Sequence, residues 1–146
     1  MQITQATEYA VRCVLHLALS PAAQVVPRRE ISRARDIPGP FLAKIAQQMA
    51  RAGILRIHQG ARGGYELLIP ARWLTLLQVV EAAEGVIALN TCVAHKQICS
   101  RTQSCAAHRV WAKAQRELRA TLASVTFAKL ATSEGAPARK QIKKGK

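Results

Sequence analysis

Acidic and aromatic residues are scarce in this chain. Only 8 of its 146 residues are Asp or Glu, against 22 Lys or Arg. Phe, Trp and Tyr together make up 4%, so Leu, Ile, Val and Ala must fill the core, which favours helices over a sandwich of strands. Long apolar runs are missing, and a membrane-spanning helix is not expected. The start, MQITQATEYAVRCVLHLALS, lacks a basic leader and carries Glu8 and Arg12 inside its apolar pattern, unlike a secretory signal. No two cysteines stand as close as the C-x2-C pairs of zinc fingers. No nucleophile–base pair or phosphate-binding glycine loop stands out, so an enzyme is not expected, and there is no internal repeat.

The scarcity of acids leaves a formal net charge of +14. Such a surface favours a polyanionic partner, nucleic acid first and an anionic membrane second. A chain without a secretory signal is expected to stay in the reducing cytoplasm, where a disulfide framework does not form. The four cysteines then require burial or metal as their explanation.

Residues Thr4 to Leu19 read as an amphipathic helix, capped by Thr4 and ended by Ser20-Pro21. Its apolar stripe includes Ala6, Tyr9, Ala10, Cys13, Val14, Leu17 and Ala18, so Cys13 is expected to be a small buried hydrophobe. A second helix spans Arg28 to about Arg35, and a third begins near Pro40 and ends at Ala52 before Gly53. Phe41, Leu42, Ile45 and Met49 form its inner stripe, and Lys44, Gln47, Gln48 and Arg51 its outer side. Strands are expected over Ile54–Ile57 and Tyr65–Ile69, around the glycine-rich tip His58-Gln59-Gly60-Ala61-Arg62-Gly63-Gly64. Helix, turn, helix and hairpin together make a winged helix. Between Arg28 and Arg62 there are eight basic residues against two acids, so the charge excess falls where this fold meets phosphates.

Thr75-Leu76-Leu77-Gln78 is a capping box opening a helix from Leu76 to Glu84. Regular patterning then lapses until Cys105, and long loops are usually functional. From about Ala106 to Leu130 an apolar seam returns at Val110, Trp111, Ala114, Leu118, Leu122, Val125 and Leu130. A helix this long exceeds what a small head needs and is expected to lie along a second copy of itself; packing on the first helix of its own chain is compatible with that. From Thr132 onward no pattern appears. The last eight residues hold five basic ones, either a solvated disordered end or a nonspecific DNA contact. The expected organisation is mainly α with a small hairpin wing: a winged helix-turn-helix head over 1–74, a loop and dimerisation helix over 75–131, and a basic disordered tail over 132–146.

The loop carries Cys92, Cys99 and Cys105 as C-x6-C-x5-C, with His108 three residues on. Widely spaced thiolates suit an iron–sulfur cluster, whose irons each need their own ligand direction, better than a zinc ion. A thiol at the start of a helix favours the thiolate, which suits Cys105, and His108 lies one turn further on. His108, His95 or Glu8 of a second copy can serve as fourth ligand. Zinc bound by three Cys and one His, a metal-free winged-helix regulator switched by its thiols, inert thiols, and a small iron–sulfur redox or carrier protein stand as alternatives. His16 is expected to be structural, and His58, at the start of the wing, to touch a phosphate.

These parts, in this order, resemble the Rrf2 family of bacterial winged-helix regulators, which includes IscR, NsrR and RirA. The resemblance covers Met1 to about Leu130. It rests on TEYAVRCVLHLA, REISRARDIPGPFLAKIAQQMARAGIL, QGARGGYEL, LLQVVEAAEG, and the three-cysteine loop followed by HRVW. It implies a cytoplasmic homodimer on a palindromic operator in double-stranded DNA, with long helices crossing and one cluster per subunit. It further implies that Lys44 and Gln47 reach base edges, that Arg62 enters the minor groove, and that Arg28, Arg29 and Arg51 position the backbone, with Pro40 and His58 at the same surface. Cys92, Cys99 and Cys105 match the cluster cysteines. His108 matches the fourth ligand of [2Fe–2S] centres, and Glu8 the acidic ligand that the partner subunit supplies in [4Fe–4S] relatives. The first cysteine gap is one residue longer than the commonest pattern. The function implied is an iron–sulfur-sensing repressor responding to cluster status, redox or nitric oxide.

Overall fold

The computed structural model describes residues 2–95 and 97–144, with side chains as far as Gly135. Helix α1, Gln5–Leu19, starts where the Thr4 side chain accepts from the Thr7 N–H, and stops at Ser20 before proline. Its buried stripe runs through Thr7, Tyr9, Ala10, Cys13, Val14, Leu15 and Leu17. Helix α2, Arg28–Arg35, buries only Ile31 and ends on Asp36 in the left-handed region at φ 51°. Helix α3, Gly39–Arg51, follows with Pro40 in its first turn. Leu42, Ile45, Ala46 and Met49 form its inner face. Phe41, expected among them, lies 54% exposed, and Ala46 takes its place.

Strands β1, Leu55–His58, and β2, Gly64–Leu67, pair antiparallel with Leu55 opposite Leu67 and His58 opposite Gly64. Each strand is offset by one or two residues from the expected one, and Ile54, expected in the first strand, lies at the turn out of α3. It is buried, and its N–H closes the end of α3 on the Met49 carbonyl at 2.9 Å. The wing is tied to the head by reciprocal backbone bonds between Val26 and Tyr65, at 2.8 and 2.9 Å. Gly64 is what permits this approach, since a Cβ there would fall 2.1 Å from the Val26 carbonyl oxygen.

Helix α4, Leu76–Glu84, carries the expected capping box, with both Thr75 and Gln78 side chains engaged. A short helix α5, Thr91–Ala94, capped by Asn90, stands inside what reads as loop. The long helix is broken. Helix α6 covers Ala106–Ser124, and α7 covers Phe127–Lys144. At the break the Leu76 N–H bonds the Val125 carbonyl and the Phe127 N–H bonds the Leu74 carbonyl, each at 2.9 Å. Residues 125–127 thus leave the helix ladder to pair with the connector before α4, and Phe127 becomes wholly buried. Burying such a ring contributes about 1.5–3 kcal/mol. Helical backbone also continues past Thr132, where no pattern announced it. The basic side chains from Arg139 to Lys146, and with them the tail's DNA contact, lie outside the described residues.

Helix α1 is the centre of the core, with α3, α4 and α7 packed around it. Helix α6 stands apart and has no buried residue along its whole length. It packs on α4, where Arg119 pairs with Glu81, and the Gln115 side chain accepts from the Leu89 N–H at 3.0 Å. Among the described residues no helix is long and apolar enough to cross a membrane.

Candidate nucleic-acid interface and cysteine segment

Helices α2 and α3 and the wing enclose an open cleft. Arg28, Arg29, Pro40, Gln47 and His58 all line it. Lys44, Gln47 and Arg51 are exposed on one side of α3, at spacings of three and four residues that keep them on a single face. Arg62 is exposed at the wing tip, where Gly60 adopts φ 95° and its carbonyl accepts from the Gly63 N–H at 3.0 Å.

Two of the expected phosphate contacts already have protein partners. Burial raises the Tyr65 phenol above its ordinary 10.0, and the Arg28 guanidinium beside it opposes that rise. Arg28 therefore lies beside the base of the wing. His58 Nε2 lies 2.7 Å from Glu66 Oε2 across the two strands, an arrangement that orients the imidazole along the hairpin. The exposed ring of Phe41, at the start of α3, was missed by sequence reasoning. A helical repeat with an apolar residue on the boundary between faces does not reveal which way that residue is turned.

The cysteine segment lies on α5, the following loop and the start of α6. The four cysteines are free; Cys13 is buried, and Cys92, Cys99 and Cys105 are half-buried. Burial pushes the Cys13 thiol up to about 12, so it stays protonated and inert. The Cys92 thiol donates to Asn90 Oδ1 at 2.8 Å, and its sulfur lies 3.4 Å from His108 Nδ1. Cys105 is the N-cap residue of α6 and makes no side-chain capping bond there. Among the described residues no three His, Cys, Asp or Glu side chains are gathered as a metal group. Glu8 is exposed and pairs with Arg12 at 3.0 Å, one turn along α1. The soft thiols and the imidazole suit an iron–sulfur cluster chemically. The geometry brings one pair of that donor set together, Cys92 with His108, with Cys99 in the intervening segment and Cys105 at the start of α6.

A helix-turn-helix whose second helix presents Lys44, Gln47 and Arg51, flanked by a two-stranded wing ending in Arg62, defines a winged-helix DNA-binding protein. Residues 3–133 match the Rrf2 family, described as iron-dependent transcriptional regulators, and the chain belongs to that family. It is a transcriptional regulator, not an enzyme. The protein rrf2 of Nitratidesulfovibrio vulgaris is 28% identical over 130 residues, spanning 89% of this chain and 87% of that protein. Solved structures share the fold. CymR, the global cysteine regulator of B. subtilis, superposes with a TM-score of 0.75 at 18% identity, covering 91% of this chain and 98% of CymR. IscR of T. potens gives a TM-score of 0.67 at 21% identity, covering 92% and 88%.

Proposed function

We propose that the chain is an iron–sulfur-sensing repressor that acts in the cytoplasm as a homodimer on a palindromic operator. The observation that carries this reading is the approach of His108 Nδ1 to Cys92 Sγ, which joins the two ends of the three-cysteine segment at the start of α6. Cys92, Cys99, Cys105 and His108 would hold a [2Fe–2S] cluster; with Glu8 of a second copy in place of His108, a [4Fe–4S] cluster is the alternative. Such a cluster supplies a group that oxygen or nitric oxide can oxidise, nitrosylate or remove, and incomplete thiolate ligation favours that lability. The chain's own part is transmission. The segment's state bears on the start of α6, Gln115 and Arg119 tie α6 to Leu89 and Glu81, and α4 packs on α1 and α3. A shift of α6 against its copy alters the spacing of two recognition helices that must match one palindrome. On the operator, Lys44 and Gln47 read base edges, Arg62 enters the minor groove, and Arg28, Arg29 and Arg51 hold phosphates, with Pro40 and His58 beside them.

Anaerobic purification tests the cluster. The wild type is expected to be coloured and to carry iron and sulfide, and Cys99→Ala to lose both. A protein still colourless and iron-free after reconstitution sinks the cluster reading. Loss of the native spectrum in His108→Ala, or instead in Glu8→Ala, identifies the fourth ligand. A second reading, a metal-free regulator switched by its thiols, rests on the same three half-buried cysteines, none of them in a disulfide. It expects DNA binding that depends on cysteine and not on iron. The redox-carrier alternative gives way to the family's role in transcription.

A further inference from the structure

The opening of the recognition helix carries no hydrogen-bonding side chain. From Gly39 to Ala43 the residues are Gly, Pro, Phe, Leu and Ala, and Lys44 is the first polar one. Leu42 turns inward at 1% exposure, whereas Phe41 stands 54% exposed. The other phenylalanine of the chain, Phe127, is wholly buried, whereas Phe41 stands with Trp73 and Trp111 among the exposed large apolar side chains. The ring is also braced. Its centroid lies 6.1 Å from that of Tyr9 at an interplanar angle of 58°, and the Arg12 guanidinium sits 5.6 Å over the Tyr9 ring. Pro40, the residue before it, lines the cleft that faces the wing, while the Phe41 ring lies on the α1 side of the helix.

In helix-turn-helix proteins the first residues of the recognition helix contact base edges. Donor and acceptor patterns in the major groove are read by side chains that can hydrogen-bond, and this helix offers none before Lys44. The one feature of the groove that an apolar side chain reads is the C5-methyl group of thymine. We infer that Phe41 reads thymine methyls in the operator, while Lys44 and Gln47 take the hydrogen-bonded positions. The inference deepens the operator reading above and rests on it.

The test begins with duplexes enriched by selection with the full chain, prepared anaerobically and, in parallel, after iron chelation. Each thymine of an enriched duplex is then replaced singly by deoxyuracil, which removes the methyl and leaves the hydrogen-bonding edge intact. At thymines beneath Phe41 the wild type is expected to bind about fourfold more weakly per methyl removed. Phe41→Ala binds the thymine and uracil duplexes equally, and Phe41→Leu, which keeps part of the contact, shows a reduced ratio. Each comparison is a ratio within one variant, so any loss of folded protein cancels. Wild-type indifference to every uracil, or a preference that persists in Phe41→Ala, overturns the inference and leaves the operator reading standing. A selection that enriches no sequence overturns both.

Discussion

Glu84 joins the last turn of α4 to the first turn of α1. Its Oε1 accepts from the Thr4 N–H at 2.9 Å, the Thr4 hydroxyl at 2.6 Å and the Thr7 hydroxyl at 2.5 Å. The Thr4 and Thr7 hydroxyls, with the Thr4 amide, hold the Glu84 carboxyl below its ordinary 4.5. A depressed carboxylate stabilises the folded chain above its unfolded pKa and loses that contribution as pH falls through the folded value. The stability gap between wild type and Glu84→Gln should therefore be full at pH 7 and begin to narrow only as the pH falls below the ordinary glutamate value of about 4.3; urea melts at pH 7 and through the acid range measure it. Thr7 is wholly buried, and Thr7→Val should cost about 1–2 kcal/mol at pH 7 by removing a bond to a charged acceptor. The sequence showed Thr4 as a helix cap. Its link to Glu84, eighty residues away, is a product of folding alone.

Among the elements, the break between α6 and α7 has the largest consequence. An unbroken helix would carry Phe127 along with α6, which has no buried residue, and strip it from the core beside Leu74. Phe127→Ala should destabilise the protein by about 3–5 kcal/mol, read as a shift in denaturation midpoint with an unchanged slope. Local sequence did not reveal the break, because Val125, Thr126 and Phe127 interrupt neither the apolar seam nor the run without glycine or proline. It is imposed by residues 71–76, which offer carbonyls and an N–H to the chain at 125–128. The helix pair of the head was legible almost to the residue, since prolines and Gly53 punctuate it.

The whole molecule is a compact head with α6 standing out from it, exposing Val110 at 60% and Trp111 at 45%. On the homodimer reading, these residues meet their copies. Trp111→Glu should leave the head folded and lower the mass in sedimentation from twice 15.9 kDa to 15.9 kDa. Operator affinity should fall with it, because two linked heads bind a palindrome far more tightly than one. A sedimentation mass unchanged by Trp111→Glu would show that this part of α6 is not the contact. The charge of +14 acts at the same scale: binding should weaken steeply with salt, and Arg62→Ala should reduce that dependence by about one phosphate contact.

Periodicity, proline, glycine and charge are written residue by residue, and they determined the winged-helix head, its basic recognition helix and the α4 capping box. The spacing of Cys92, Cys99, Cys105 and His108 was likewise on view from the start. Tertiary structure alone decided that Phe41 turns outward, that His58 lies against Glu66, that the long helix breaks to bury Phe127, and that Cys92 meets His108 across α5 and α6. Each of these depends on contact between segments distant in the chain or on which side of a helix the core lies, and no local pattern carries that information.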